Sequence, residues 1–92
     1  MTEKVVHEKE NERFVIYKDG KETFVSYVPV EGMLNLNHTH TDNELRGQGL
    51  AALVVRAALE YVKENNLRVI PGCSYVQSFI AKNEGYKELV AE

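Results

Sequence analysis

The hydrophobic period of this chain changes from that of a strand to that of a long helix after Thr41, and that change decides what it can fold into. From Met33 to Thr41 (MLNLNHTHT) the residues alternate two by two. Leu34, Leu36, His38 and His40 fall on one strand face, and Asn35, Asn37, Thr39 and Thr41 on the other. From Leu50 the period becomes helical, with Leu50, Leu53, Val54, Ala57, Ala58, Tyr61 and Val62 on one stripe and Arg56, Glu60, Lys63 and Glu64 opposite. A strand that runs directly into a long amphipathic helix must then return to its sheet. Leu67 to Ile70 (LRVI) is the next apolar run, and a crossover of this kind places it parallel to the strand before the helix.

The residues before Met33 read as strands. Val5 and Val6 precede the polar run Glu8-Lys9-Glu10-Asn11, and Arg13 to Lys18 (RFVIYK) is rich in β-formers. Asp19-Gly20 is a two-residue hairpin signal, because both central positions of that turn need positive φ. Glu22 to Val30 returns as a strand with Pro29 near its end, and Glu31-Gly32 turns again. After the crossover, Asn65-Asn66 closes the long helix and Pro71-Gly72 stops the short strand. Ser74 to Lys82 (SYVQSFIAK) forms a second helix with Val76, Phe79 and Ile80 inward, ended by Gly85. The expectation is an α+β fold: a mixed, mostly antiparallel sheet of about five strands, a long helix after strand 4 and a second, C-terminal helix.

Ninety-two residues make a single domain, 1–92, with one core. At this size roughly 64% of the unfolded surface is buried. Eleven basic residues against fourteen acidic give a net charge of -3, so phosphate neutralisation of nucleic acid is excluded as a first reading. No apolar run approaches a membrane span. The single cysteine permits no intrachain disulfide, and the charged start MTEKVVHEKENER has no apolar signal region. Together these features predict a cytoplasmic protein.

The junction of strand and long helix carries the chemistry. A helix begins with about four backbone N–H groups that have no partner inside it. Ser, Thr, Asp or Asn usually caps them. Here Arg46, Gly47, Gln48 and Gly49 stand directly before the stripe, so the cap is missing and two glycines admit a close approach to the backbone. Uncapped amides, the positive end of the helix dipole and an adjacent Arg form an anion site suited to a phosphate or pyrophosphate. The plain alternative is a glycine turn, and Gly-x-Gly alone does not decide between them.

Arg46-Gly47-Gln48-Gly49-Leu50-Ala51 matches the R/Q-x-x-G-x-G/A signature of the GNAT acyltransferase superfamily. With His38-Thr39 on the strand and Pro71-x-Cys73-x-Tyr75-Val76 after the next one, the chain resembles the compact, GNAT-like (YjdJ-type) branch of N-acetyltransferases over most of its length. The resemblance implies acetyl-coenzyme A as cofactor, its pyrophosphate on Arg46, Gly47, Gln48, Gly49, Leu50 and Ala51. It places Thr39, His40, Thr41 and Tyr75 along the cofactor cleft. Asp42 departs from the proline that many relatives carry before Arg-Gly.

Cys73 sits at the start of the second helix, where the dipole favours a thiolate. A lone cysteine is more often a small buried hydrophobe. The resemblance makes it a candidate acyl-accepting nucleophile, with His38 preferred over His40 as general base and pairing with Cys73 within reach. Tyr75 is a candidate acid for the leaving thiolate, or packing; Phe79 reads as core and His7 as surface. His38-x-His40 with Cys73 and Asp42 has the ligand types for zinc but no supporting Cys-x-x-Cys, so no metal is assigned.

The function this implies is acetyl transfer from acetyl-coenzyme A to an amine acceptor, with a Cys73 acyl-enzyme as one route. The alternative is a coenzyme A-binding regulatory or scaffolding module without turnover, and a third is an interaction domain with no cofactor. No nucleic acid or membrane partner is expected. The chain has no room for the helices that wall the acceptor site in larger relatives, so the acceptor's identity is open and a protein partner or a second copy could complete that side.

Overall fold

The computed structural model describes residues 4–91. Five strands, β1 (Val6–Glu8), β2 (Arg13–Lys18), β3 (Lys21–Val30), β4 (Met33–Thr41) and β5 (Arg68–Ile70), form one sheet in the order β1-β2-β3-β4-β5. Helix α1 (Leu50–Glu64) joins β4 to β5, and α2 (Ser74–Lys82) follows β5. The first four strands are antiparallel, and β5 runs parallel to β4 as the crossover requires. The α+β expectation holds, including the five strands and both helices.

Local chemistry accounts for the turns. Asp19 and Gly20 adopt φ of 53° and 75°, so Lys18 and Lys21 pair directly across a two-residue loop. Gly32 at φ 72° reverses the chain between Val30 and Met33. Asn66, at φ 56°, takes the left-handed position after α1. Gly85 does not end α2. Asn83 does, with its backbone N–H on the Phe79 and Ile80 carbonyls and its Nδ2 on the Phe79 carbonyl at 2.8 Å. Gly85 lies in the 3-10 turn Glu84–Leu89, after which Val90 bridges Val69 at the sheet edge.

One core holds the fold, and it lies on one face of the sheet. Phe14 and Ile16, Val25 and Tyr27, Leu34 and Leu36, and Val69 meet both helices there. The buried arc of α1 is rotated from the expected stripe. Val55 and Leu59 are fully buried, while Leu53, Ala57 and Tyr61 are only partly covered. The cause is a second neighbour, since α2 and the following turn pack alongside α1. Arg56 lies 5.4 Å over the Phe79 ring, and the Tyr86 hydroxyl donates to Glu60 at 2.6 Å. Glu60 is thus engaged by a tyrosine.

The alternation of β4 breaks at one residue. Tyr27 pairs with Leu36 but Ser26 pairs with His38, so Asn37 is an extra residue bulged from the ladder. Ser26 Oγ donates to Asn37 Oδ1 at 3.1 Å beside this bulge. Every later side chain of β4 changes face. Thr39 now pairs with buried Val25 and turns toward the helices, and Thr41 follows it opposite Thr23. His38 and His40 turn the other way, toward the Phe24 ring, with centroids 6.0 and 5.3 Å away. The expected sharing of one face by Leu34, Leu36, His38 and His40 is therefore corrected: the bulge separates the histidines from the leucines.

That opposite face carries no helix. Arg13 binds Glu8 at 2.7 Å and Glu22 at 3.3 Å and lies 4.9 Å over Phe24. Exposed Val6, Tyr17, Val28 and Val30 share its surface. His7, expected on the surface, is instead packed on the core face. Its ring stacks on Phe14 at 4.1 Å, meets Tyr61 at 4.6 Å, and its Nε2 is 2.6 Å from the Tyr27 hydroxyl.

Burial, then the Lys9 charge, lowers the His7 pKa below its ordinary 6.5. The folded chain therefore binds this proton less readily than the unfolded chain. The stability His7 contributes is complete above the ordinary value and declines as pH falls below it. Glu8, lowered to about 2, loses its own contribution only in a more acidic window. Urea midpoints measured near about pH 7.5 and about pH 5.5 are expected to fall with acidification in the parent chain, and to fall less in His7→Phe.

Candidate functional site

The β4–α1 connection is pinned at both ends and open in the middle. Asp42 Oδ1 accepts the Glu44 N–H at 3.0 Å and starts the 3-10 turn Asn43–Leu45. Leu45, 2% exposed, anchors that turn in the core. Arg46 then runs extended and exposed, and Gly47 and Gly49 take φ of 83° and 74°. Gly49 occupies the cap position of α1 and has no side chain to offer its first-turn amides. Those amides stay available to an anion because glycine both permits the left-handed geometry and supplies no cap.

These residues border a cavity of about 370 Å³. Thr39 and Thr41 line it from β4; Leu45, Arg46, Gly47 and Gly49 from the loop; Leu50 and Ala51 from the first turn of α1; and Tyr75 from α2. Eight residues expected at the cofactor thus surround one space. Gln48 does not line it. Its Oε1 accepts from Lys18 Nζ at 2.7 Å, while Glu44 pairs with Lys21 at 2.6 Å. The Asp19-Gly20 hairpin therefore braces the loop from outside, a role the sequence pattern did not signal.

Strands β4 and β5 pair only from Met33 to Asn35 and from Arg68 to Ile70, then part. Cys73 stands beyond the parting, half-buried, at the cap position of α2. Its Sγ is 3.5 Å from Thr39 Oγ1. Burial pushes this thiol's pKa up, but the Thr39 hydroxyl, the α2 amides of Val76 and Tyr75 and the Thr39 backbone outweigh it, and the net direction is down. Burial raises the pKa of Tyr75, so its phenol keeps its proton.

His38 and His40 are exposed on the far face of the sheet, away from Thr39. The bulge carries them there, so His40 does not line the cleft and the expected direct pairing of His38 with Cys73 is replaced by the Thr39–Cys73 contact. The same reversal splits His38-x-His40 from Cys73. Among the described residues no group of three or more His, Cys, Asp and Glu side chains is placed to hold a metal. No helix among them is long and apolar enough to cross a membrane.

Comparison with known proteins fits this geometry. The profile of the family described as GCN5-related N-acetyl-transferase matches residues 13–89, from β2 through the turn after α2. The chain belongs to the GCN5-related N-acetyltransferase family. It is 30% identical over 83 residues to protein NATD1 of Bos taurus, covering 87% of this chain and 74% of the relative. It is 28% identical to protein NATD1 of Homo sapiens over 83 residues, with the same coverage of 87% and 74%. An NMR structure of a GCN5-like protein from Staphylococcus aureus superposes with a TM-score of 0.74 at 26% identity, covering 99% of this chain and 91% of that one. In this family member the matched region contains the loop, the cavity and Cys73 together.

Gly72 is favoured by close approach to the Asn35 side chain rather than by its backbone angle. A Cβ there would collide with Asn35 Oδ1, a buried oxygen that has no hydrogen-bond partner among the described residues, and would lie 3.4 Å from Asn37 Cα. Gly72→Ala is expected to destabilise by about 1–2 kcal/mol through overpacking. In an Asn35→Ala background, where the obstructing carboxamide is gone, the same substitution should cost measurably less. Urea unfolding of the four chains checks this coupling.

Proposed function

We propose that this family member transfers an acetyl group from acetyl-coenzyme A to an amine, with Cys73 as the first acceptor. The observation that carries the reading is the Arg46–Ala51 loop: Gly47 and Gly49 at positive φ, an uncapped α1 N-terminus and a cavity running from that terminus to Thr39 and Tyr75. The donor set suits a pyrophosphate, because it offers backbone amides, a helix dipole and the Arg46 guanidinium to negative charge. Acetyl-coenzyme A supplies an activated acyl group as a thioester.

The chain's own groups divide the remaining work. Arg46 and the first-turn amides of α1 bind charge. Thr39 and Thr41 border the path along β4. Cys73, favoured as thiolate, offers a nucleophile, and Tyr75, which lines the cavity and keeps its proton, can give one to a departing sulfur. His38, on the opposite face of β4 against the Phe24 ring, is given no step in this reading. The acceptor's class is an amine.

Calorimetry with acetyl-coenzyme A tests the binding step. Arg46→Glu is expected to weaken affinity about tenfold, and unchanged affinity refutes the pyrophosphate loop. Intact-protein mass after incubation with acetyl-coenzyme A tests the covalent route. An acetyl adduct is expected on the parent chain and not on Cys73→Ala; the same adduct on both would exclude Cys73 as first acceptor.

A further inference from the structure

We propose that Thr39 is a positioning residue for Cys73, its hydroxyl donating a hydrogen bond to the cysteine sulfur and holding Sγ at the edge of the cleft. The inference rests on the reading of Cys73 as nucleophile and adds a residue that acts through it.

The geometry that carries it is the 3.5 Å separation of Thr39 Oγ1 and Cys73 Sγ, within hydrogen-bond reach for sulfur. The two residues are 34 positions apart and meet where β4 and β5 have already parted. The Asn37 bulge is what turns Thr39 toward α2; in unbroken alternation it would face the other side of the sheet. Thr39 is β-branched and sits in a strand, so its χ1 is restricted and the hydroxyl has few other places to point. A thiolate has no proton to give, so in that form the hydroxyl is the donor.

The direction of donation makes the inference decidable. A bond donated by Thr39 favours the thiolate; a bond donated by the thiol would favour the neutral form. Removing the hydroxyl has opposite consequences in the two cases. Tyr75 on α2 and Arg46 on the loop are the titratable or charged side chains that line the adjoining cavity. Both stay in place in the variants below.

Because the chain has one cysteine, alkylation by iodoacetamide followed by intact mass reports on Cys73 alone. Rates are measured from about pH 6 to about pH 10 for the parent chain, Thr39→Val and Thr39→Ser. In Thr39→Val the rate near neutrality is expected to fall about three- to tenfold and the profile to move to higher pH, the size a lost hydrogen bond to the charged form produces. Thr39→Ser, which restores a donor, is expected to return toward the parent profile. An unchanged or faster Thr39→Val overturns the inference, the faster result showing the thiol to be the donor. Thr39→Ala gives the same reading if the valine chain does not fold. Acetyl-coenzyme A affinity is measured on the same samples. A parent chain that binds none overturns the proposed function, while the alkylation profile still decides the Thr39 contact.

Discussion

The extra residue at Asn37 is the constraint on which the rest of the site depends. Before it, Leu34 and Leu36 seal the sheet against the helices. After it, Thr39 and Thr41 take over that face, so an apolar wall becomes a polar-lined cleft within one strand. A regular β4 would put two histidines under α1 and both threonines outside. The exchange costs Asn37 its place in the ladder, where the Ser26–Asn37 side-chain bond gives local compensation.

The α1 terminus works by omission. Most helix starts satisfy their first amides with a side-chain oxygen. Here the one capping carboxylate, Asp42, is spent on the 3-10 turn before the loop, and the α1 cap falls to Gly49. The hairpin holds the loop from outside through Lys18–Gln48 and Lys21–Glu44, leaving its inner backbone clear. Rigidity comes from one side and access from the other. That division lets a loop with two left-handed glycines keep a defined shape.

Much of this was legible in the residues because it rests on local chemistry. The period switch marks the boundary of β4 and α1, Asp19-Gly20 marks a hairpin with both φ values positive, and the run Arg46-Gly47-Gln48-Gly49 marks a helix start with no side-chain cap. The parallel return of β5 follows from crossover geometry. The illegible parts share a different cause. His38 and His40 continue a perfect alternation, and only the loss of apolar residues after Leu36 hints that the register has changed. His7 looks unpartnered in the sequence because Phe14, Tyr27 and Tyr61 come from three other elements. Val55 and Leu59 are buried because α1 has two neighbours, a fact a single-face stripe cannot encode.

The topology also explains why one cleft holds both of its chemical ends. β4 and β5 are parallel, so each reaches its C-terminal end on the same side of the sheet, and each is followed there by a helix. Two helix N-termini thus face one region, both with positive dipole ends. They are capped differently. Gly49 gives the α1 amides no side-chain cap beside the cavity, whereas the α2 amides of Val76 and Tyr75 are directed at a side chain of the protein itself, the Cys73 thiol. The same electrostatic device therefore leaves one terminus open to the cavity and turns the other onto a side chain of the protein. Because the strands part after Asn35 and Ile70, the space between the two termini stays open instead of closing into more sheet.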